Sequence, residues 1–415
     1  MTGDADQAVH DQYAAYPYPA RDPKDEAKRL IVGSPSHLKE VNHHLFAGAR
    51  DFARPFRALV AGGGTGDAAI MLAQQLADAG PGQVVYIDLS AASAAIARAR
   101  AQARGLANIS FHQVPIEDLP GSGLGPFDYI DCCGVLHHLA DPAAGLRALA
   151  AGLAPDGGLG VMVYGEYGRA GLYPLQKALR RLTAGDSLAD QVAAAKRLLK
   201  ALPPTNGFRR NPFLGDHLDG GDAGLVDLLL HPRDRAYTVP QVFDLAAAAD
   251  LAVTAFIEPV RYDPAPLIAD ARLRARAAAL PFAERAALAE ALAGNHRKHV
   301  FYLTRPDRAA TATAGPGPDM IPLPHELDPA ALAKSLTPGQ ALTVTLDGLP
   351  HRLETPRLAA AVLARVDGRT PMGAIAEALQ GLRPDLSADG ALDQVTATCR
   401  LFTDLGKLFL SRFPA

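Results

Sequence analysis

The stretch that decides the fold is RALVAGGGTGDAAIMLAQQLADAG, residues 57–80. Its first part, RALVAGGG (57–64), has the apolar run of a buried strand, and DAAIMLAQQLADAG (67–80) has the spacing of an amphipathic helix. Glycines between a strand and a helix let the backbone approach a ligand closely, and the helix start offers free N–H groups to it. A tight strand–helix turn without a ligand is the alternative that this loop leaves open.

The same alternation of strand and helix continues along the chain. Further strands are predicted at 83–90, 108–115, 127–135, 158–165, 252–260 and 298–306. Helical segments are predicted at 36–50, 91–105, 142–157, 238–251 and 265–294. This order predicts an α/β fold of the Rossmann-like type, with a parallel sheet of seven strands and helices on both faces.

Composition shifts divide the chain into four regions. Residues 1–50 are predicted as an N-terminal lid or strap, 51–306 as the main domain, 307–320 as a linker, and 321–415 as a small C-terminal α+β domain. Within the main domain, residues 166–236 interrupt the alternation after the fifth strand and are predicted as a helical insertion.

Charge and composition exclude several classes of protein. The 41 basic and 44 acidic side chains give a formal net charge of −3, which disfavours a nucleic-acid partner held by phosphate contacts. Three cysteines in 415 residues cannot form a disulfide framework, and no apolar run reaches the length of a membrane span, so we expect a cytoplasmic protein without a membrane partner. No metal site is expected, because the spacing of His43, His44, His137 and His138 is not that of zinc ligands.

An acidic residue follows the second predicted strand at the spacing of a nucleotide-binding unit. Asp88 lies about 20 residues beyond the glycine loop, at the end of QVVYIDLS (83–90). A carboxylate at that position can accept hydrogen bonds from both hydroxyls of a ribose.

With these residues in place, the chain resembles a known family. The motifs that carry the resemblance, in chain order, are GGGTG (62–66), IDLS (87–90), PIEDLP (115–120), FDYIDCCGVLHHLADP (127–142) and APDGGLGVMVY (154–164). Together they resemble the class I S-adenosylmethionine-dependent methyltransferases over about residues 57–306. The resemblance implies S-adenosylmethionine as cofactor and S-adenosylhomocysteine as product.

The resemblance also implies roles for individual residues at the cofactor site. The implied cofactor-binding residues are Gly62, Gly63, Gly64, Gly66, Asp88, Leu89, Ile116, Glu117, Asp118, Gly134 and Val135. The chain departs from the family pattern at two positions. Val60 and Pro115 stand where the family often has acidic residues, so the amino-acid and adenine ends of the cofactor are expected to be held partly by other groups.

Two histidines follow the fourth strand, near the expected methyl donor. His137 and His138 are candidate catalytic residues, because an imidazole can accept a proton or orient an acceptor near neutral pH. The alternative is a loop histidine that is hydrogen-bonded to the backbone.

Candidate acceptor-binding residues come from two regions that could cover the cofactor. Tyr13 and Tyr18 belong to YAAYPYPARDP (13–23), which alternatively packs as a strap on the outer surface. The insertion contributes polar residues that could bind an anionic acceptor group or else form salt bridges in a solvated loop. These are Arg209, Arg233, Arg235 and Tyr237.

The C-terminal region has a resemblance of its own. Residues 355–379 resemble the small winged-helix-like peptide-binding domains of the PqqD type, and a packing or homodimerisation module is the alternative. We expect a methyltransferase with a small-molecule acceptor. The alternatives are a peptide or protein side chain recruited through 321–415, and a non-catalytic cofactor-binding regulatory or scaffold protein.

Overall fold

The computed structural model describes residues 9, 12–13, 15–337 and 339–414. The chain divides into two compact units, each assembled from separate stretches of sequence. The first unit draws on Met1–Ser36, Phe52–Asp250 and Gly294–Val300. The second draws on His37–Asp51, Leu251–Ala293 and Phe301–Ala415.

Seven strands form the main sheet. They are β1 (Arg57–Ala61), β2 (Gln83–Ile87), β3 (Ile109–His112), β4 (Phe127–Cys133), β5 (Leu153–Tyr164), β6 (Ala252–Phe256) and β7 (Lys298–Thr304). Their order is β3-β2-β1-β4-β5-β7-β6. The pairs among β1 to β5 are parallel, and β6 and β7 are antiparallel. This topology confirms the predicted Rossmann-like sheet.

Seventeen α-helices are found within the described residues. They are α1 (Leu38–Leu45), α2 (Asp67–Ala79), α3 (Ala91–Ala103), α4 (Pro142–Ala151), α5 (Leu172–Leu182), α6 (Leu188–Ala201), α7 (Gly207–Arg210), α8 (Asp216–Asp219), α9 (Gly221–Leu225), α10 (Val239–Ala247), α11 (Ala271–Ala278), α12 (Phe282–Ala293), α13 (Pro306–Ala309), α14 (Pro329–Ser335), α15 (Ala359–Leu363), α16 (Met372–Leu382) and α17 (Ala388–Asp404). In the part of the chain that is described, none is both long and apolar enough to cross a bilayer.

Local sequence explains where the helices beside the sheet begin and end. Ser90 and Asp141 accept hydrogen bonds from backbone N–H groups in the first turns of α3 and α4, as good N-cap residues do. The helix predicted over 142–157 ends at Ala151, and β5 begins at Leu153. Pro155 lacks a backbone N–H and cannot continue a helix, so the residues from Leu153 onward belong to β5 instead.

The insertion after β5 folds around an apolar cluster of its own. Helices α5 to α9 are followed by a π-helical turn over Val226–Leu230. Leu175, Leu179, Phe208 and Leu229 are among the buried residues of this cluster. The apolar faces of short helices therefore cover one another, which orders the predicted insertion.

The second unit contains the C-terminal region. It has a hairpin of β9 (Leu342–Leu346) and β10 (Leu349–Leu353), and β8 (Ile321–Pro324) pairs antiparallel with β11 (Leu408–Ser411). Helices α15 to α17 pack around a shared apolar core. The winged-helix resemblance of this region stays a prediction.

Residues 307–320, predicted as a linker, are packed within the second unit. Ala312 and Ala314 are 2% and 7% exposed. The N–H of Ala314 donates to the His43 carbonyl at 2.7 Å, and that of Ala47 donates to the Ala312 carbonyl at 2.6 Å. Small alanine side chains let this segment pack closely against the end of α1.

Candidate cofactor and acceptor site

The glycine loop lies between β1 and α2, where the sequence predicts it. The N–H groups of Gly62 and Gly63 both donate to the Ile87 carbonyl, at 2.9 and 3.1 Å, which ties the loop to the end of β2. Gly62 has a φ of +68°, and a Cβ there would lie 2.5 Å from a methyl group of Val135. Only glycine fits this position, both for its backbone conformation and for the space available.

Asp88 is held at the end of β2 by the loop itself. Its Oδ2 accepts from the Gly64 N–H at 2.8 Å, and its Oδ1 accepts from the Ser90 N–H at 2.7 Å. Burial raises the pKa of Asp88, and these backbone hydrogen bonds oppose that rise. Each carboxylate oxygen keeps a further lone pair, so the pair of oxygens fits the vicinal hydroxyls of a ribose. Leu89, next in the chain, has 49% of its surface exposed and offers an apolar face beside them.

The remaining predicted cofactor residues follow β3 and β4. Ile116 is buried at the start of a 3₁₀ turn over Ile116–Gly121, whereas Glu117 and Asp118 are exposed. Gly134, directly after β4, has a φ of +82°, and a Cβ there would meet only the Met162 methyl group at 3.5 Å. At this position the positive φ, rather than a lack of space, is what favours glycine.

The N-terminal strap, defined as the described residues of 12–28, lies on the glycine loop. The Thr65 hydroxyl donates to the Pro19 carbonyl at 2.7 Å. The Tyr18 carbonyl oxygen lies 3.2 Å from the point where a Cβ on Gly64 would be. The Tyr18 backbone, rather than its side chain, thus makes this contact with the loop.

An ion network that the sequence analysis missed holds the strap in place. Arg100 on α3 is fully buried and pairs with Glu26 at 2.7 Å and with Asp67 at 2.6 Å. Asp67 also pairs with Arg21 at 2.6 Å, and Glu26 also pairs with Arg104. The available signal was the spacing of four between Arg100 and Arg104, which puts both on one helix face. Two strap residues are therefore anchored to α2 and α3.

His138 is oriented by the insertion. Its Nδ1 lies 2.9 Å from the Arg233 carbonyl oxygen, which can only accept, so Nδ1 carries the proton and Nε2 keeps a lone pair. The Arg233 Nε donates back to the His138 carbonyl at 2.6 Å. The His138 ring also stacks on His231 at a centroid distance of 3.8 Å. These contacts leave Nε2 as the ring nitrogen of His138 that can accept a hydrogen bond.

His137 has a different environment from its neighbour. Its side chain has no exposed surface, and neither ring nitrogen has a hydrogen-bond partner among the described residues. The ring packs on Tyr164 at a centroid distance of 3.9 Å, and burial lowers its pKa well below the usual value. These features are those of a packing residue.

A buried carboxylate that the sequence analysis missed lies beside the histidines. Asp227, on the π-helical turn, accepts from the Tyr13 hydroxyl at 3.2 Å and from the Tyr164 hydroxyl at 3.0 Å. The Tyr13 hydroxyl also lies 3.3 Å from His231 Nε2. Burial raises the pKa of Asp227. The signal in the sequence was one acidic residue within an apolar run, LVDLLL (225–230).

The hydrogen bonds made by His138, Asp227 and His231 are not those expected of three metal ligands. Side-chain atoms of His138, Asp227 and His231 lie within 4.8 Å of one another, close enough to share an ion. The Arg233 N–H, however, donates to His231 Nδ1 at 3.1 Å. A neutral His231 ring then carries its proton on Nε2, and a protonated nitrogen cannot bind a metal. Burial also lowers the pKa of His231 to about 2, so the ring is neutral.

The other predicted acceptor residues do not meet at one place. Arg235 and Tyr237 line a cavity of about 360 Å³ that also includes Asp141 and Gln241. Arg233 instead bonds to the His138 backbone, as described above, and Arg209 donates to the Leu202 carbonyl. Arg233 and Arg235 therefore have different neighbours, on an irregular segment that bends at residues 232 and 233.

Comparison with known proteins agrees with this fold. Residues 59–159 match the family model described as a methyltransferase domain. An uncharacterized protein of Synechococcus sp. is 34% identical over 272 residues, which covers 64% of this chain and 63% of that protein. A ubiquinone biosynthesis O-methyltransferase of Bordetella avium is 32% identical over 152 residues, which covers 37% of this chain and 58% of that enzyme. The chain thus spans less than two thirds of either relative.

Among solved structures, PKMT2 from Rickettsia typhi is similar in fold. Its TM-score is 0.57 at 15% sequence identity, and the match covers 97% of this chain and 76% of that one. The same protein has been solved in complex with AdoHcy. The matched segment 59–159 contains the glycine loop, Asp88 and His138. These residues lie on the sheet of order β3-β2-β1-β4-β5-β7-β6 described above. The chain therefore contains a methyltransferase domain, which the family model matches over residues 59–159.

Proposed function

We propose that this protein transfers a methyl group from S-adenosylmethionine to a small organic acceptor that loses a proton on reaction. When bound, the cofactor supplies a methyl group already activated on a sulfonium sulfur. The glycine loop and Asp88 would hold its ribose, and Leu89 would cover its adenine face. The observation that carries the proposal is the contact of His138 Nδ1 with the Arg233 carbonyl oxygen at 2.9 Å, in the turn that follows β4.

The role of His138 follows from its hydrogen bonds. The Arg233 carbonyl keeps the proton on Nδ1, so the imidazole can take up a second proton only at Nε2. A hydroxyl or ammonium acceptor must give up its proton to become a good nucleophile, and a positioned imidazole can receive it. Proton transfer of this kind contributes typically 10²–10⁴-fold to a rate.

Two covering segments would exclude water and select the acceptor. The strap lies across the glycine loop through Thr65, and its Tyr13 meets Asp227 and His231 of the insertion. A small acceptor is favoured, because Tyr164, His138 and Asp227 are all largely buried in this arrangement. The name of the Bordetella avium relative, an O-methyltransferase of ubiquinone biosynthesis, also supports a small hydroxyl compound as acceptor.

Transfer of an isotopic label tests the proposal and separates it from its alternatives. The protein is incubated with S-adenosylmethionine labelled in its methyl group and with extracts of its source cells, and small molecules and proteins are then analysed apart by mass spectrometry. Label in the small-molecule fraction is the expected result. Label confined to proteins would mean a protein acceptor. Absence of label in both fractions, with S-adenosylhomocysteine still bound, would mean a binding protein without catalysis.

Variants of one histidine test the proton acceptor. His138→Gln should lower the turnover of the identified acceptor by roughly 100- to 10,000-fold and leave the affinity for S-adenosylhomocysteine within about twofold. His112→Gln is the matched control and should keep full activity, because within the described residues the His112 side chain bonds only to the nearby Ser110 hydroxyl on β3. Unchanged turnover in His138→Gln would remove the base from the proposal without affecting the cofactor site.

A further inference from the structure

The loop that orients His138 is itself held by a second set of contacts. This orienting loop, residues 231–234, carries His231, whose ring stacks on the His138 ring, and Arg233, whose carbonyl oxygen contacts His138 Nδ1. The loop has no regular secondary structure and bends at residues 232 and 233. The position of the Arg233 carbonyl is therefore set by contacts from other segments.

A buried ion pair holds the end of the orienting loop. Asp234 Oδ2 accepts from an Arg169 guanidinium nitrogen at 3.3 Å, and the two side chains are 0% and 3% exposed. Arg169 ends the 3₁₀ turn that follows β5, and its guanidinium carbon lies 3.6 Å from the centroid of the Tyr164 ring. An aromatic face attracts a guanidinium group placed over it. Asp234 is thus connected, through Arg169, to the last residue of β5.

Helix α5 holds the rest of the orienting loop. Gln176 is 1% exposed, and its Nε2 donates to the same Asp234 oxygen at 3.1 Å and to the Leu228 carbonyl at 2.9 Å. Arg180, one turn later on α5, donates to the His231 carbonyl at 3.3 Å and to Gln176 Oε1 at 3.1 Å. One face of α5 therefore contacts both ends of the loop.

These contacts determine where the Arg233 carbonyl points. A buried carboxylate that loses its partners keeps the whole cost of leaving water, so Asp234 stays where Arg169 and Gln176 reach it. The Arg233 carbonyl belongs to the planar peptide bond that leads into Asp234. A fixed Asp234 therefore limits the directions in which that carbonyl can point.

We propose that Asp234 is a positioning residue for methyl transfer. Held by Arg169 and Gln176, it directs the Arg233 carbonyl at His138 Nδ1 and so keeps the His138 proton on that nitrogen. With the proton on Nε2 instead, the ring would have no lone pair there to accept a second proton. This inference rests on the proposed function, in which His138 is the proton acceptor.

The tautomer of His138 tests the inference without a measurement of activity. In full-length protein with ¹⁵N-labelled histidine, magnetic resonance distinguishes protonated from unprotonated ring nitrogens, and the His138 signals are those missing from His138→Gln. At a pH where the ring is neutral, the wild type should have its proton on Nδ1, and Asp234→Ala should have a mixture of the two tautomers. Asp219→Ala, at an exposed carboxylate of α8, is the control and should match the wild type.

A double variant covers the case in which Asp234→Ala does not fold. Arg169→Met combined with Asp234→Ala removes both charges of the buried pair, which costs less stability than removal of one. It should also give the mixture of tautomers. A His138 proton that stays on Nδ1 in the folded variant would overturn the proposal.

Kinetics with the identified acceptor separate this inference from the proposed function. Asp234→Ala should lower kcat by about 10- to 100-fold, a part of what a positioned base contributes, and leave the acceptor KM within about threefold. In the His138→Gln background the further loss should be less than about twofold, because Asp234 then has no proton acceptor to position. Equal fold losses in the two backgrounds would overturn the inference alone. Full turnover in His138→Gln would overturn the proposed base and this role of Asp234 with it.

Discussion

The phenol of Tyr13 donates a hydrogen bond of 3.2 Å to the buried carboxylate of Asp227, which joins the N-terminal strap to the insertion. The two residues are 214 positions apart in the chain. Thr65 holds the strap to the glycine loop a few residues further on. The strap is thus attached on both sides of the expected cofactor position.

Removal of the Tyr13 hydroxyl should weaken cofactor binding through the strap. Tyr13→Phe keeps the ring but loses the bond to Asp227, so closure of the strap becomes less favourable and the affinity for S-adenosylhomocysteine should fall by up to about tenfold. Isothermal titration calorimetry measures this change. Tyr167→Phe, at an exposed tyrosine, is the control. Equal affinities in wild type and Tyr13→Phe would mean that the strap does not act on the cofactor.

Loss of the Asp88 carboxylate should weaken cofactor binding directly. Asp88→Ala removes the proposed acceptor of the ribose hydroxyls and should cost about 1.5–3 kcal/mol of binding free energy, the range for hydrogen bonds to charged groups. The same calorimetry applies, with Asp78→Ala on the exposed side of α2 as control. An unchanged dissociation constant in Asp88→Ala would show that the ribose is held by other residues.

Asp131 should make the stability of the protein depend on pH. It is 1% exposed on β4, accepts from the Ser36 hydroxyl at 2.6 Å, and has a pKa raised by burial from 3.8 to about 6. Between about pH 4 and 6 the Asp131 carboxyl is therefore protonated in the folded state and ionised in the unfolded state. The contribution of Asp131 to the free energy of unfolding decreases as pH rises through this range. The difference is about 3 kcal/mol at most.

Urea denaturation of the wild type and Asp131→Asn between pH 4 and 7 measures that contribution. The asparagine does not titrate, so the free energy of unfolding of the wild type should fall relative to the variant as pH rises, and the difference should level off above pH 6. Parallel curves across this range would contradict the raised pKa of Asp131.

Two substitutions in the ion network under the strap, one at a buried residue and one at a half-buried residue, should lower the free energy of unfolding by very different amounts. Glu26→Gln leaves Arg100 buried with one ionic partner fewer and should lower the free energy of unfolding by about 3–5 kcal/mol. Arg21 has a side chain 29% exposed, so Arg21→Ala should cost about 1 kcal/mol or less. Urea denaturation at neutral pH compares the two. Equal losses would mean that burial does not govern this network.

Truncation after Asp307 should fail to give a folded core. Residues 308–415 form most of the second unit, which also contains α1, β6 and α12. Their removal exposes the surfaces that Ala312 and Ala314 cover near His43. We expect the fragment 1–307 to be insoluble or to lack a cooperative melting transition in calorimetry. A soluble fragment that melts cooperatively would show that the remaining part of the second unit is stable alone.

The sequence alone determined the features that arise from neighbouring residues. Alternating apolar runs and helical spacing located the seven strands of the sheet, because burial of a strand or of a helix face imposes a local period. The positions of the glycine loop and Asp88 followed in the same way, since a turn after a buried strand must lie at the carboxyl edge of a parallel sheet. Helix ends were less accurate, as at Ala151, because capping competes with the start of the next strand.

Only the tertiary structure decided which polar groups meet. Asp227 and Tyr13, or Arg100 and Glu26, come together because the chain folds back over long separations, and no local period marks such pairs. Arg233 and Arg235 are close in sequence yet have different neighbours, because the segment that carries them is an irregular loop with bends at residues 232 and 233. The packing of 307–320 is of the same kind. Its alanines, threonines and glycines have the composition of a linker. Only the folded structure shows that the segment forms hydrogen bonds near His43.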